Sequence, residues 1–209
     1  MNRGELRAHF IAVLNRSDCP AALADTFIDQ AQSRITRLLR IPPMEKTHTY
    51  NVATDVSNND FGVASVVIPS DLIEAIDIYS GKYALTRLPL HEMIGAQDSG
   101  QVGTPKHFTR VQGTFLLHPS PSTGTVVLNY YGSFGALTAD ASTNTLTTLG
   151  PDLLIYTALS YAADYFLDER SQTFEAKASQ FLAEIQEQAN SSEQSGGTQV
   201  IRPSTTYED

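Results

Sequence analysis

His91 and Glu92 could open a zinc-hydrolase pair, in which a second histidine four residues on completes two ligands on one helix face; that position is Gly95. The run DVSNNDFG places oxygens at Asp55, Ser57 and Asn59, as a calcium loop would. The turn position that needs glycine holds Asp60, however, and the closing carboxylate position holds Val66. Gly81-Lys82 is followed by Tyr83 rather than a serine or threonine, with no glycine loop upstream, so it makes no phosphate cradle. Gly132-Ser133-Phe134-Gly135 lacks the glycine two before the serine that a nucleophile elbow requires. Cys19 precedes Pro20 at an expected helix start, where the dipole would lower a thiol pKa. No partner base accompanies it, and a structural thiol is the simpler reading. His9, His48, His107 and His118 are scattered and read as ordinary packed histidines. Asp164 and Asp168 lie one helical turn apart, as an acid/base pair could, but carboxylates near a helix end are commonly solvated. No residue set converges on a reaction, a metal or a cofactor, and a non-enzymatic protein is expected.

Composition narrows the class further. The 209 residues are 41% hydrophobic, enough for a sizeable core, and the formal net charge is −9, from 14 Lys+Arg against 23 Asp+Glu. Gripping nucleic-acid phosphates needs clustered cations, so that function is not expected. A single cysteine permits no internal disulfide, and the opening residues are not followed by the apolar run of a signal peptide; synthesis in a reducing cytoplasm is the expectation. No stretch approaches the roughly 20 apolar residues of a membrane span.

Helical periodicity frames the chain at both ends. Leu6, Phe10, Val13 and Leu14 share one face of a first helix, with Asn2 as cap and Glu5 completing a capping box. Ser17 or Asp18 is the expected cap of a second helix, in which Leu23, Phe27, Ala31, Ile35 and Leu38 recur near a 3.6 period until Pro42 and Pro43 end it. Short β-rich runs follow: KTHTYNVAT, VASVVIP, LIEAIDIYSG, then HFTRV, GTFLLHP and TVVLNYYG. Gln112-Gly113 and Ser120–Gly124 read as hairpin connections, making an antiparallel β region. LPLHEMIGAQ reads as one or two helical turns. The segment from Ser133 to Gly150 is long and polar, and its length suggests contact with another protein. Pro151 then starts an apolar helix that must be buried on most sides, followed by an amphipathic one carrying Phe174, Ala178, Phe181, Leu182 and Ile185.

The expected fold is α+β: a four-helix core of two N-terminal and two C-terminal helices, with an inserted antiparallel β lobe and an extended C-terminal arm. The divisions are 1–43 helical, 44–135 β lobe, 136–150 loop, 151–190 helical hairpin packing on 1–43, and 191–209 arm. Phe27, Ile35, Tyr156, Leu159, Phe174 and Phe181 form the expected helical core.

Order and spacing of several weak elements carry a resemblance. Gly103 and Pro105 lead into a hairpin with Pro119 and Pro121 at its turn. Leu128, Tyr130 and Tyr131 end the second strand, Leu137 and Thr138 open the loop, and Pro151, Leu153, Leu154, Tyr156, Ala158 and Leu159 start the apolar helix. This pattern, over about half the chain, resembles the head–tail adaptor (connector, or neck) proteins of tailed bacteriophages. Phe174 stands where relatives often show tryptophan.

The resemblance implies a structural virion protein: a homo-oligomeric, dodecameric ring at the neck. It would dock under the portal protein, meet a downstream tail or nozzle protein, and let DNA pass through its lumen without specific binding. Assembly would occur in the host cytoplasm, with no membrane and no cofactor. An acidic lumen wall repels DNA and favours smooth passage. His118, Ser120, Leu137 and Thr138 are the expected partner-contacting loop residues. Val200, Ile201, Arg202 and Tyr207 form an extended apolar set suited to docking on the portal. The alternative is a carbohydrate- or receptor-binding β module of a virion, using Tyr79, Tyr83, Tyr130 and Tyr131.

Overall fold

The computed structural model describes residues 1–58, 62–97 and 101–194. Along the chain run α1 (Arg3–Leu14), α2 (Ala21–Leu38), β1 (Glu45–Asn51), α3 (Val52–Asp55), β2 (Val56–Asn58), β3 (Ala64–Val67) and β4 (Leu72–Ser80). There follow β5 (Tyr83–Ala84), β6 (Thr86–Arg87), α4 (Leu90–Gln97), β7 (His107–Val111), β8 (Thr114–His118) and β9 (Thr125–Gly132). The chain closes with α5 (Thr145–Leu149), α6 (Pro151–Phe166) and α7 (Ser171–Gln194). The class is α+β, and the chain divides into two compact units: Met1–Pro43 with the chain from Phe134 onward, and Met44–Ser133.

In the first unit each helix start has a physical cause. Asn2 Oδ1 accepts from the Glu5 amide at 2.9 Å while Glu5 Oε2 accepts from the Asn2 amide at 3.0 Å, closing the capping box on α1. The amides of Arg3 and Gly4 donate to the carbonyls of Ser142 and Asp140, at 3.0 and 2.9 Å, so donors that an α-helix leaves unpaired are filled from far along the chain. Helix α2 corrects the expected cap: Pro20 occupies that position and no side chain caps it, while Asp18 is held by Arg16 instead. Gly150 caps α6 with Pro151 at its first turn.

Helix α6 touches α1, α2, α5 and α7, which explains its apolar circumference; Leu153, Leu154, Ile155, Ala158, Leu159, Ala162 and Ala163 are all buried. Phe27, Ile35, Leu159 and Phe174 are buried, and Phe181 packs half-buried against Tyr156 with ring centroids 5.5 Å apart. Arg34 forms a two-armed ion pair with Glu175, joining α2 to α7.

The second unit packs two sheets face to face, ordered β1-β9-β4-β5 and β2-β3-β8-β7-β6. Val126, Leu128 and Tyr130 alternate inward from β9, with Tyr50 and Ile78 from the same sheet, and meet Val66, Phe115 and Leu117 from the other. Leu116 faces the opposite way and is covered by Val63 and by Met93 of α4, so β8 is buried on both faces. Gly81-Lys82, which fails as a phosphate loop, forms the β4–β5 turn, with Gly81 at φ +60.

Several expectations are corrected here. The second connection is no hairpin: β8 and β9 belong to different sheets, so Ser120–Gly124 is the crossing between them, whereas Gln112-Gly113 does join an antiparallel β7–β8 pair. The region is not wholly antiparallel, since β6 pairs with β7 in parallel. Within the expected loop 136–150 lies α5, and α7 carries helix to Gln194, past the expected start of the arm at 191.

Candidate interaction surfaces

The residues that could have done chemistry resolve into structural parts. Asp55 Oδ2 accepts from the Asn51 amide at 2.7 Å, a bond that holds its pKa below the ordinary carboxylate value; Thr54 adds a second. Asp164 accepts from the Ser171 hydroxyl at 2.5 Å, and Asp168 pairs with Arg170 at 2.7 Å, which lowers its pKa to about 2. Arg170 also donates to the Leu14 carbonyl at 3.0 Å, so these two aspartates shape the α6–α7 turn and anchor it to the end of α1. Burial pushes the Cys19 thiol up, opposite to the activation a helix start would bring.

The segment 133–150 is strapped down rather than free. Asn144 organises it. Its Oδ1 accepts from the Thr147 amide at 2.9 Å, and its Nδ2 donates to the Gly135 carbonyl at 2.7 Å and to Gln32 Oε1 at 3.1 Å. Arg7 bridges Asp25 and Asp140, which raises its pKa, and the Met1 amino group donates to the Thr147 carbonyl at 3.1 Å. The exposed residues of the segment are Gly135, Ala136 and Thr138–Ala141, then Thr143, Thr145, Thr148 and Leu149.

Each expected contact residue now has a place. Leu137 is 3% exposed and His118 6%, so both are withdrawn as partner-facing side chains: Leu137 packs inward and His118 lies opposite His107 across β7–β8. Burial, then the neighbouring His107, lowers the His118 pKa, and Nδ1 of each ring is buried without a hydrogen-bond partner. Ser120 is half-buried and Thr138 exposed. Beside them, Ser122–Thr125 form the exposed part of the sheet crossing. Val200, Ile201, Arg202 and Tyr207 lie outside the described residues. Of the tyrosines weighed for glycan contact, Tyr130 is buried with its hydroxyl donating to Asp71 at 3.0 Å, and Tyr83 is exposed.

One surface escaped sequence reasoning. In the helical unit Ile41, Pro42, Pro43, Leu149, Ile185, Gln188 and Ala189 line an apolar hollow of about 220 Å³. The legible signal was Ile185, Gln188 and Ala189 at helical spacing on α7; the rest comes from elements distant in sequence.

Arg3, Arg7, Arg16, Arg34, Lys46 and Arg170 are engaged with carboxylates, in a chain of net charge −9. Among the described residues no helix is long and apolar enough to cross a membrane.

A family model described as SU10 adaptor protein matches residues 1–202. No curated protein matches the chain.

Proposed function

Because the chain belongs to the SU10 adaptor protein family, we propose that it is a structural subunit of a phage virion that forms a head–tail adaptor ring at the neck, under the portal. The match over residues 1–202 carries this reading, and it supports a phage structural protein rather than an enzyme. In the ring, α1, α2, α6 and α7 form a four-helix core that supplies two different faces meeting head to tail, as a closed ring requires. The β unit serves as a lobe offered to the downstream tail or nozzle protein. The chain beyond Gln194 acts as an arm toward the portal, with Arg202 and Tyr207 as its reaching residues and Val200 and Ile201 fixing its root. DNA passes through the lumen without specific binding, in keeping with a net charge of −9 and the paired arginines.

The test is mass by light scattering across concentration, for the protein alone and mixed with its portal, using the full chain and a chain ending at Gly196. Assembly to a multiple of 22.8 kDa, about twelvefold, alone or on the portal, is the expected result. Removal of residues 197–209 should leave the fold intact and weaken portal docking. A strict monomer that ignores the portal overturns the ring, and unchanged docking by the shortened chain overturns the arm.

A further inference from the structure

We propose that the apolar hollow beside α7 is the seat of the chain's own residues Val200 and Ile201, folded back within one subunit. The hollow is built from three separated pieces: the end of the α2 region at Ile41, Pro42 and Pro43, Leu149 at the close of α5, and one face of α7 at Ile185, Gln188 and Ala189. Leu149 is 38% exposed there, and an exposed leucine beside two prolines and an isoleucine leaves apolar surface in water. The volume of about 220 Å³ exceeds the roughly 150 Å³ in which an apolar cavity holds a benzene-sized group, so two aliphatic side chains fit.

Position and sequence select the occupant. Helix α7 ends at Gln194, five residues past Ala189, or about 7.5 Å of helix rise. Five residues lie between Gln194 and Val200, and the six steps from one to the other span up to about 20 Å when extended, ample to return to the hollow. Gly196 and Gly197 stand at the start of that return, where a reversal after a helix needs residues free of a Cβ. From Asn190 to Asp209 the only aliphatic side chains larger than alanine, proline apart, are Val200 and Ile201, and they are adjacent. Arg202 follows them, and α7 carries exposed Glu184 and Glu187 on the neighbouring turns. A short tether holds the pair near its seat at an effective concentration around millimolar, which favours the same chain over a second copy. Seated this way, Val200 and Ile201 anchor the arm at its root and leave Tyr207 to reach outward. The inference concerns the isolated subunit and stands whether or not a portal is the partner.

Disulfide trapping tests it in the full chain. Gln188→Cys is paired with Ile201→Cys, Cys19 being buried and left in place, and products are resolved on a denaturing gel and located by peptide mass. Intramolecular bridging should dominate at all protein concentrations and exceed by about tenfold that of a control pairing Gln188→Cys with Asp209→Cys. Bridged dimers that grow with concentration would reassign the seat to another subunit's tail, and no preference over the control would remove the tail from the hollow; either overturns the proposal. As a check free of engineered thiols, the double variant Val200→Asp, Ile201→Asp should speed amide exchange in 145–150 and 183–189 without altering exchange in α1. Unchanged exchange in both segments also overturns it.

Discussion

Replacing Asn144 tests whether the segment 133–150 is a strap or a loop. Asn144→Ala removes the cap accepted from the Thr147 amide, which costs about 1 kcal/mol at such positions. It also removes two donations, to the Gly135 carbonyl and to Gln32, at about 0.5–1.5 kcal/mol each. The sum is about 2–4 kcal/mol, which in a protein of this size lowers Tm by about 4–16 °C. Asn144→Ser separates the contributions: serine is an equally good cap, yet its hydroxyl is too short to reach Gly135 and Gln32, so about 1–3 kcal/mol should still be lost. Urea unfolding followed by circular dichroism gives the midpoints, with an unchanged m-value required for the comparison. Amide exchange should accelerate in 135–148 and at Arg3 and Gly4, whose amides the same segment holds. If Asn144→Ser matches the parent within about 0.5 kcal/mol, the two donations hold nothing and the strap reading fails.

Two further outcomes follow from the β unit. Leu128 is fully buried at the centre of its sheet, so Leu128→Ala should cost about 2–5 kcal/mol; a loss below about 1 kcal/mol by urea unfolding would show that the sandwich core is not closed around it. His118 has its pKa lowered from 6.5, so the folded state disfavours its protonated form more than the unfolded state does. The stability it supports is complete above about pH 6.5 and falls as pH drops below that value toward the lowered one. His118→Gln should therefore flatten the decline in unfolding free energy between about pH 7 and pH 5, and an unaltered slope would assign that decline to other groups.

What the sequence disclosed, and what it withheld, divides by the range of the interactions. The α1 capping box was legible because Asn2 and Glu5 are three residues apart and each answers a need of the other's backbone. The burial of α6 was legible because a helix apolar all round has no other place to be. The Ser120–Gly124 connection was misread because proline, serine and glycine mark a reversal without naming the strand that receives it. Alternation on β8 and β9 is satisfied equally by pairing in one sheet or by facing across two, and the double burial of β8 at Phe115–Leu117 is what separates the cases.

The 133–150 segment shows the same limit from the other side. The segment is long and polar, and its length suggests contact with another protein, yet Asn144 is polar because it must answer Thr147, Gly135 and Gln32 at once. Asp140 is acidic because Arg7 is its partner across the unit, and Ser142 lends a carbonyl to the Arg3 amide. A polar stretch that closes the open end of a distant helix looks, in sequence, like one that awaits a partner. The difference lies in partners over a hundred residues away, and only the residues left over after that pairing, Thr138 and its exposed neighbours, remain available for contact outside the subunit. Any surface that meets another protein should be sought first among such residues, because a side chain already committed within its own chain must break a bond before it can make another.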